Sequence, residues 1–285
     1  SAYNRNDIIG EYEKWTPQVR FDLRRDLSLG TSHSVGLRGI LINERVLGEF
    51  EGQRISNSEA YIYEELRYDI EHRAGLNPFT LNLTALNGDA FTRMSVEGNW
   101  SQIYDKHRHR LSLRLFTGRF FRTDDELMEA RMGWRYHLGA SDLLYDHLFI
   151  NRQGIGEITD QQMSKDQGGF KTPNSFGTSD TWMAAMNLEL DAPFRLPLAF
   201  FASAGAAPVT TISNAGRTTR TEFQYEGGIG LRVIRDAVEV WVPLFASPDI
   251  NDQLELRDFD FMERIRIVFA LERMDPTRAL RNLAP

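Results

Sequence analysis

The stretch Glu263-Arg264-Ile265-Arg266-Ile267-Val268-Phe269-Ala270-Leu271 places Ile265, Ile267, Phe269 and Leu271 on one face of an extended strand. Arg264 and Arg266 fall on the other face, because successive side chains of a strand point to opposite sides. Apolar residues at period two opposite charged ones mark a wall between an apolar medium and a wet one. A single strand of this kind suits any soluble sandwich. Here the pattern recurs along almost the whole chain with little helical interruption. It predicts an all-β fold, a closed antiparallel transmembrane β-barrel of about 12 to 14 strands, with Ile265, Ile267, Phe269 and Leu271 facing lipid.

Working back from that strand, the alternation repeats. Residues 18–29 oppose Val19, Phe21 and Leu23 to Arg20, Asp22 and Arg24. Residues 33–47 follow, and then 58–72, where Ile62, Leu66, Tyr68 and Ile70 oppose Glu65, Arg67, Asp69 and Glu71. Asn87-Gly88-Asp89 joins the runs at 79–85 and 94–96 as a tight turn, Asn and Gly both tolerating positive φ. Further strands are predicted over residues 111–115, 128–136, 143–150, 182–191, 198–205, 223–233, 237–244 and 259–271. In the run at 128–136, Met132, Trp134 and Tyr136 alternate with Arg131, Gly133 and Arg135. The barrel is thus expected over residues 18–272, with 1–17 a linker or the end of a preceding domain and 273–285 a tail.

A mean hydropathy of −0.41 is compatible with such a barrel, since half of each strand faces water and dilutes the average. The longest stretch of low charge, residues 196–212, is interrupted by Pro197, Gly205 and Pro208 and is short for a spanning helix of about 20 residues. A net charge of −7 without a long basic run argues against a nucleic-acid partner. The chain has no cysteine, which removes disulfides, thiolate metal sites and cysteine nucleophiles. The rows of Arg, Glu and Asp on one face would be costly in a dry core and suit a wet lumen. A soluble antiparallel sheet with one solvent face shows the same alternation.

Residues 151–179 break the strand rhythm with a long polar loop, and a loop of that length is functional, plugging or disordered. Arg152, Gln161, Gln162, Gly168, Gly169 and Lys171 are its candidates for a lumen plug or gate. Catalytic signatures are missing. None of the six histidines sits in a His-Glu-x-x-His frame, and there is no Gly-x-Ser-x-Gly elbow. Gly227-Gly228-Ile229-Gly230 lies within a strand pattern, relieving crowding or forming a bulge. The residues themselves assign no catalytic role and no metal ligand.

Four stretches carry a resemblance. They are Asp142-Leu143-Leu144-Tyr145-Asp146-His147-Leu148-Phe149-Ile150-Asn151-Arg152; Gln161-Gln162 followed by Gly168-Gly169-Phe170-Lys171; Phe223 to Leu231 running on through Val238-Glu239-Val240-Trp241-Val242-Pro243-Leu244; and Glu263 to Ile267. In order and spacing they resemble the C-terminal region of aminopeptidase-N-like (gluzincin) zinc metallopeptidases of Bacteroidota, in which a peptidase portion precedes an outer-membrane β-barrel. The resemblance is clearest over residues 110–272. It implies a bacterial outer-membrane location and a barrel that anchors a peptidase domain lying outside this chain. Zinc is then expected in that absent part and no cofactor in this one. The implied partners are outer-membrane lipid, the peptidase domain of the same polypeptide and other outer-membrane proteins. His147 and Phe149 depart from the family pattern, and the peptidase motif itself is missing, so no catalytic assignment carries over. A transport pore or a barrel subunit of a larger outer-membrane complex is the alternative.

Overall fold

A computed structural model describes residues 11–26, 30–50, 53–124, 132–139, 142–150, 158–173, 178–194, 196–213, 216–235 and 237–270. The chain is all-β, and its strands form one sheet of 13. The strands are β1 (Glu11–Trp15), β2 (Gln18–Asp26), β3 (Thr31–Phe50), β4 (Gln53–His72), β5 (Phe79–Gly88), β6 (Phe91–Ile103) and β7 (Arg110–Thr123). They continue with β8 (Gln162–Met163), β9 (Trp182–Asp191), β10 (Leu198–Ser213), β11 (Gly216–Ile234), β12 (Val238–Ala246) and β13 (Arg266–Phe269). Neighbours pair antiparallel in the order β1-β3-β4-β5-β6-β7-β9-β10-β11-β12-β13, and β8 adds parallel to β13. β1 and β2 both pair with β3. They are one strand interrupted at Pro17, which has no N–H to give the ladder, although its carbonyl still accepts the Gly39 N–H at 3.0 Å.

The register shows why this sequence makes this sheet. Phe21, Val35, Tyr68, Leu83, Val96, Thr117, Ala184, Ala206 and Phe223 lie side by side across nine consecutive strands. On the opposite face, Ser32, Glu71, Thr80, Asn99, Arg114, Asn187, Ser203 and Glu226 line up in the same way. The first row is apolar except for the Tyr68 and Thr117 hydroxyls, and the second is polar throughout. A slip of one residue in any strand would exchange its two faces, so the pattern fixes the pairing.

The polar face is concave, and the described residues between 132 and 173 pack into it. Tyr145 stacks on Tyr12 of β1 at 4.0 Å, and Tyr136 lies over Gly205 of β10. Gln162 donates both to the Leu148 carbonyl at 2.7 Å, only a few residues beyond Tyr145, and to the Phe269 carbonyl of β13 at 3.1 Å. Laid flat, eleven strands span about 50 Å at 4.8 Å each. One short segment touches both ends of such a sheet only when the sheet curls around it. The connections differ between the two ends. At one end the links between strands are all short, at 27–30, 73–78, 104–109, 192–197 and 235–237; the other carries the short links at 51–52, 89–90 and 214–215 and also the long connections at 124–181 and 247–265.

Several expectations are corrected. Residues 132–136, the described part of the run expected over 128–136, and residues 143–150 do not form wall strands. The described part of the first makes only isolated bridges, Trp134 to Ser179 and Leu138 to Ser164, and residues 142–150 turn within the interior. Their alternation is real, but the apolar side chains Met132, Trp134, Tyr136 and Leu138 are buried against protein. Period two cannot distinguish a lipid neighbour from a protein one. The last strand is shorter than expected because residues 261–264 form a helical turn, α2 (Phe261–Arg264), closed by a capping box between Asp260 and Glu263. Residues 248–256, between two predicted strands, form helix α1 (Pro248–Leu256), with Ile250 and Leu254 buried. Among the described residues the first strand runs over Glu11–Trp15, ahead of the expected start. Finally, β5 extends through Gly88, so the turn falls at Asp89-Ala90. Gly88 keeps an extended backbone, and the Tyr63 ring occupies the space a Cβ would need.

Candidate functional site

The interior is layered along the strands. Towards the end with the long connections, Ile40, Tyr63, Phe91, Phe116, Trp134 and Tyr136 form an apolar cluster with Ile250 and Leu254 of α1. Arg93 is buried there, its guanidinium 4.4 Å from the Trp134 ring and donating to the Met132 carbonyl at 2.6 Å. This layer seals that end.

Below it lies a charged layer between the interior segment and β9–β12. Lys165, Lys171, Arg232 and Arg235 face Glu189, Asp191, Glu226 and Glu239, four cations to four anions. Lys171 pairs with Glu189 at 3.0 Å and Lys165 with Glu239 at 2.5 Å. Arg232 spans Glu189 and Asp191, and Arg235 also reaches Asp191. Glu226 accepts the backbone N–H groups of Lys171 and Thr172, each at 2.7 Å. Trp241, fully buried, donates its indole N–H to Glu239 at 3.1 Å and has Lys165 and Lys171 each 4.9 Å from its ring centre. Buried charge is tolerated only when paired and hydrogen-bonded, and here the partners come from β9, β11, β12, the residue just past β11 and the interior segment. The layer therefore locks the segment to the wall. Arg114 makes a second tie, to Glu97 at 2.7 Å and to the Gln167 carbonyl at 2.7 Å.

On the opposite side, against β2–β6, the interior is open. A cavity of about 850 Å³ lies between Ser32, Arg38, Glu65, Asn82, Ser95 and Asp146. It adjoins a second of about 490 Å³ that reaches the short-turn end at Arg73 and Pro78. Glu71, Glu97, Asn99 and Asp166 line both. Arg38 holds Asp146 through two bonds of 2.8 Å, and Lys14 joins them at 2.5 Å. His147 meets Asp166 at 2.5 Å, and Ser164 Oγ lies 3.2 Å from the same ring nitrogen, Nε2. A hydrolytic triad needs the acid on one ring nitrogen and the serine on the other, so this trio is not arranged as one. Burial alone would lower the His147 pKa, but Asp166, with Asp142 and Asp146 behind it, raises it. His137 is the opposite case, lowered to about 3 by burial and then by Arg266.

Of the residues singled out in the sequence, Lys171 is in the charged layer and Gly168 and Gly169 make the bend that leads to it. The Gly168 N–H bonds to the Arg135 carbonyl at 3.0 Å, and Gly169 has φ +65°. Gln162 is buried and staples three backbones. It donates to the Leu148 carbonyl at 2.7 Å and to the Phe269 carbonyl, and accepts the Ile150 N–H at 2.7 Å. Gln161 lies apart, donating to the Met262 carbonyl at 2.9 Å. Arg152 and Leu271 lie outside the described residues. Ile265 ends α2, while Ile267 and Phe269 are less buried than Arg266 and Val268 between and beside them. Glu189, Glu226, Glu239 and Trp241 were not singled out. Their signal was strand parity, since Glu189 and Glu226 alternate with outward apolar residues. The sequence pattern could not say which inward charges meet.

Among the described residues no group of three or more His, Asp or Glu is placed to hold a metal, and no helix is long and apolar enough to cross a membrane. A comparison with protein-family models finds no match, and a comparison with curated proteins finds none of significance.

Proposed function

We propose that this chain is a bacterial outer-membrane β-barrel, sealed by its own interior segment, that anchors a zinc metallopeptidase domain lying outside it. The observation that carries the membrane reading is the outward apolar belt. Phe21, Leu37, Leu66, Met94, Leu115, Met186, Phe200 and Leu231 are all 40–54% exposed and come from eight different strands. Soluble proteins rarely expose a contiguous apolar patch above a few hundred Å², and a belt crossing every long strand exceeds that. Lipid removes the conflict, provided that the sheet closes so that no backbone edge meets hydrocarbon. The peptidase part of the reading is supported by the resemblance of the four stretches quoted above and by no residue of this interior.

The test is solubility and mobility. The folded chain should require detergent and migrate faster unheated than boiled on a denaturing gel, and a compact monomer stable in plain buffer would refute the membrane reading. Joining in one polypeptide to a His-Glu-x-x-His peptidase would bear out the anchor role. The pore reading has one observation in its favour, the polar cavity of about 850 Å³. The apolar layer above that cavity favours a plugged barrel.

A further inference from the structure

A charged side chain stands on the outward, apolar face of β4. The register sets Glu64 beside Gly39 of β3 and Asn87 of β5, and sets Asn87 beside Thr92 of β6. Two residues away along the strands lie Trp15, Leu41 and Ile62 on one side and Val19, Leu37 and Leu66 on the other. All six are 40–59% exposed. The exposed Glu64 carboxylate thus lies within the apolar face. Among the described residues it meets only the Asn87 amide, a long bond of 3.4 Å. Thr92 donates to Asn87 at 2.7 Å, and Arg122 of β7 donates to Thr92 at 3.4 Å. One polar chain therefore crosses four strands with an anion at one end and a cation at the other. Gly39 has no side chain and Ala85 a short one, and the surface is hollowed beside them. The groove has a volume of about 600 Å³ and is lined by Val19, Leu37, Leu66 and Ala85 together with Glu64, Asn87 and Thr92. Arg38 and Glu65, at the same level, pair with each other on the inner face at 2.8 Å.

We infer that this groove holds one phospholipid whose head group carries a primary amine. This rests on the membrane reading above. Charge facing hydrocarbon is costly, and an ammonium group brings Glu64 both the opposite charge and N–H donors for a charge-assisted bond. The phosphate then lies on the Thr92–Arg122 side, where a hydroxyl and a guanidinium donate. An acyl chain covers Val19, Leu37, Leu66 and Ala85. The level suits a head group, because the β5–β6 turn follows Asn87 by two residues, and Trp15 has the amphipathic ring enriched at membrane interfaces. A lysine from a neighbouring protein would answer the carboxylate alone. The apolar hollow and the cation at the far end of the chain favour a zwitterion with a tail.

The experiment uses the full chain, stripped of lipid in detergent and titrated with short-chain phosphatidylethanolamine, phosphatidylcholine or phosphatidylglycerol under native mass spectrometry. One phosphatidylethanolamine per chain is expected. Phosphatidylcholine, whose head has no N–H, and phosphatidylglycerol, which has no amine, should each bind about tenfold more weakly, the loss of one charge-assisted hydrogen bond. Glu64→Gln should abolish the preference. Gly39→Leu should weaken all three lipids by filling the hollow; a Cβ there meets nothing closer than the Pro17 ring at 3.5 Å, so the strand accepts the change. Equal binding of the three lipids by the native chain, or an unchanged preference in Glu64→Gln, would overturn the inference. A photoreactive group at Ala85 that captures a second polypeptide and no lipid in native membranes would assign the groove to a protein and overturn it as well. Loss of the heat-modifiable band in the unmodified protein would instead sink the membrane reading, so the two failures are distinguishable.

Discussion

Leu115 and Ser95 sit on adjacent strands and face opposite media. Leu115 lies midway along the outer belt between Gly98 and Met186, 50% exposed, while Ser95 lines the large interior cavity. Leu115→Arg should cost about 2–4 kcal/mol at the bilayer midplane, and Ser95→Arg should stay within about 0.5 kcal/mol, read from urea unfolding in lipid vesicles. Equal costs would count against the assigned faces. Arg266 is a poorer probe of the inner face than its sequence position suggests. Its Nη1 donates to the carbonyls of Glu263 and Ile265, each at 2.8 Å, so an acidic replacement would lose both bonds. Glu226 is the residue on which the charged layer depends most. Glu226→Ala strands the N–H groups of Lys171 and Thr172, at roughly 1–3 kcal/mol each. The same unfolding curves should show the midpoint shift, with Glu226→Gln milder because one acceptor remains.

At the scale of elements, the interior segment is held by two histidines that respond to pH in opposite senses. His137 is neutral when folded, with its pKa lowered to about 3 against an ordinary 6.5. Between those values the unfolded chain binds the extra proton, so stability falls as pH drops below about 6.5. His147 is raised. Its contribution is complete below 6.5 and is lost as pH rises through its folded value. Protease resistance of residues 132–173 should therefore peak near neutrality. His137→Gln should flatten the acid limb and His147→Gln the alkaline one; loss of the same limb in both would exclude these assignments. This segment is also where reading the elements from sequence failed. Trp134 and Tyr136 alternate as faithfully as any wall residue, but the wall offers them flats of its own. Gly118 leaves room for the Trp134 ring and Gly205 for that of Tyr136, and no local pattern announces such distant seating.

For the whole molecule, the layered interior predicts a barrel that barely conducts. The apolar cluster closes one end, and the connected cavities reach the other. In planar bilayers the native chain should show little current. Gly205→Val, whose side chain would collide with the Tyr136 ring and a neighbouring carbonyl, should unseat the segment and raise conductance while the heat-modifiable band persists. Free conductance by the native chain would favour the pore reading.

The sequence by itself determined the all-β class, the two faces of each long strand and the inward-facing sets that include Glu189, Glu226 and Arg232. These follow from a period of two, which is a property of each strand alone. It singled out Gly168, Gly169 and Lys171 as candidates for a plug or gate. Only the tertiary structure decided that the described residues of 132–150 run inside the sheet and that Glu226 grips the backbone at Lys171 and Thr172. Those facts depend on which strands meet across distances of 50 residues or more in the chain, and pairing between distant strands leaves no mark in local alternation.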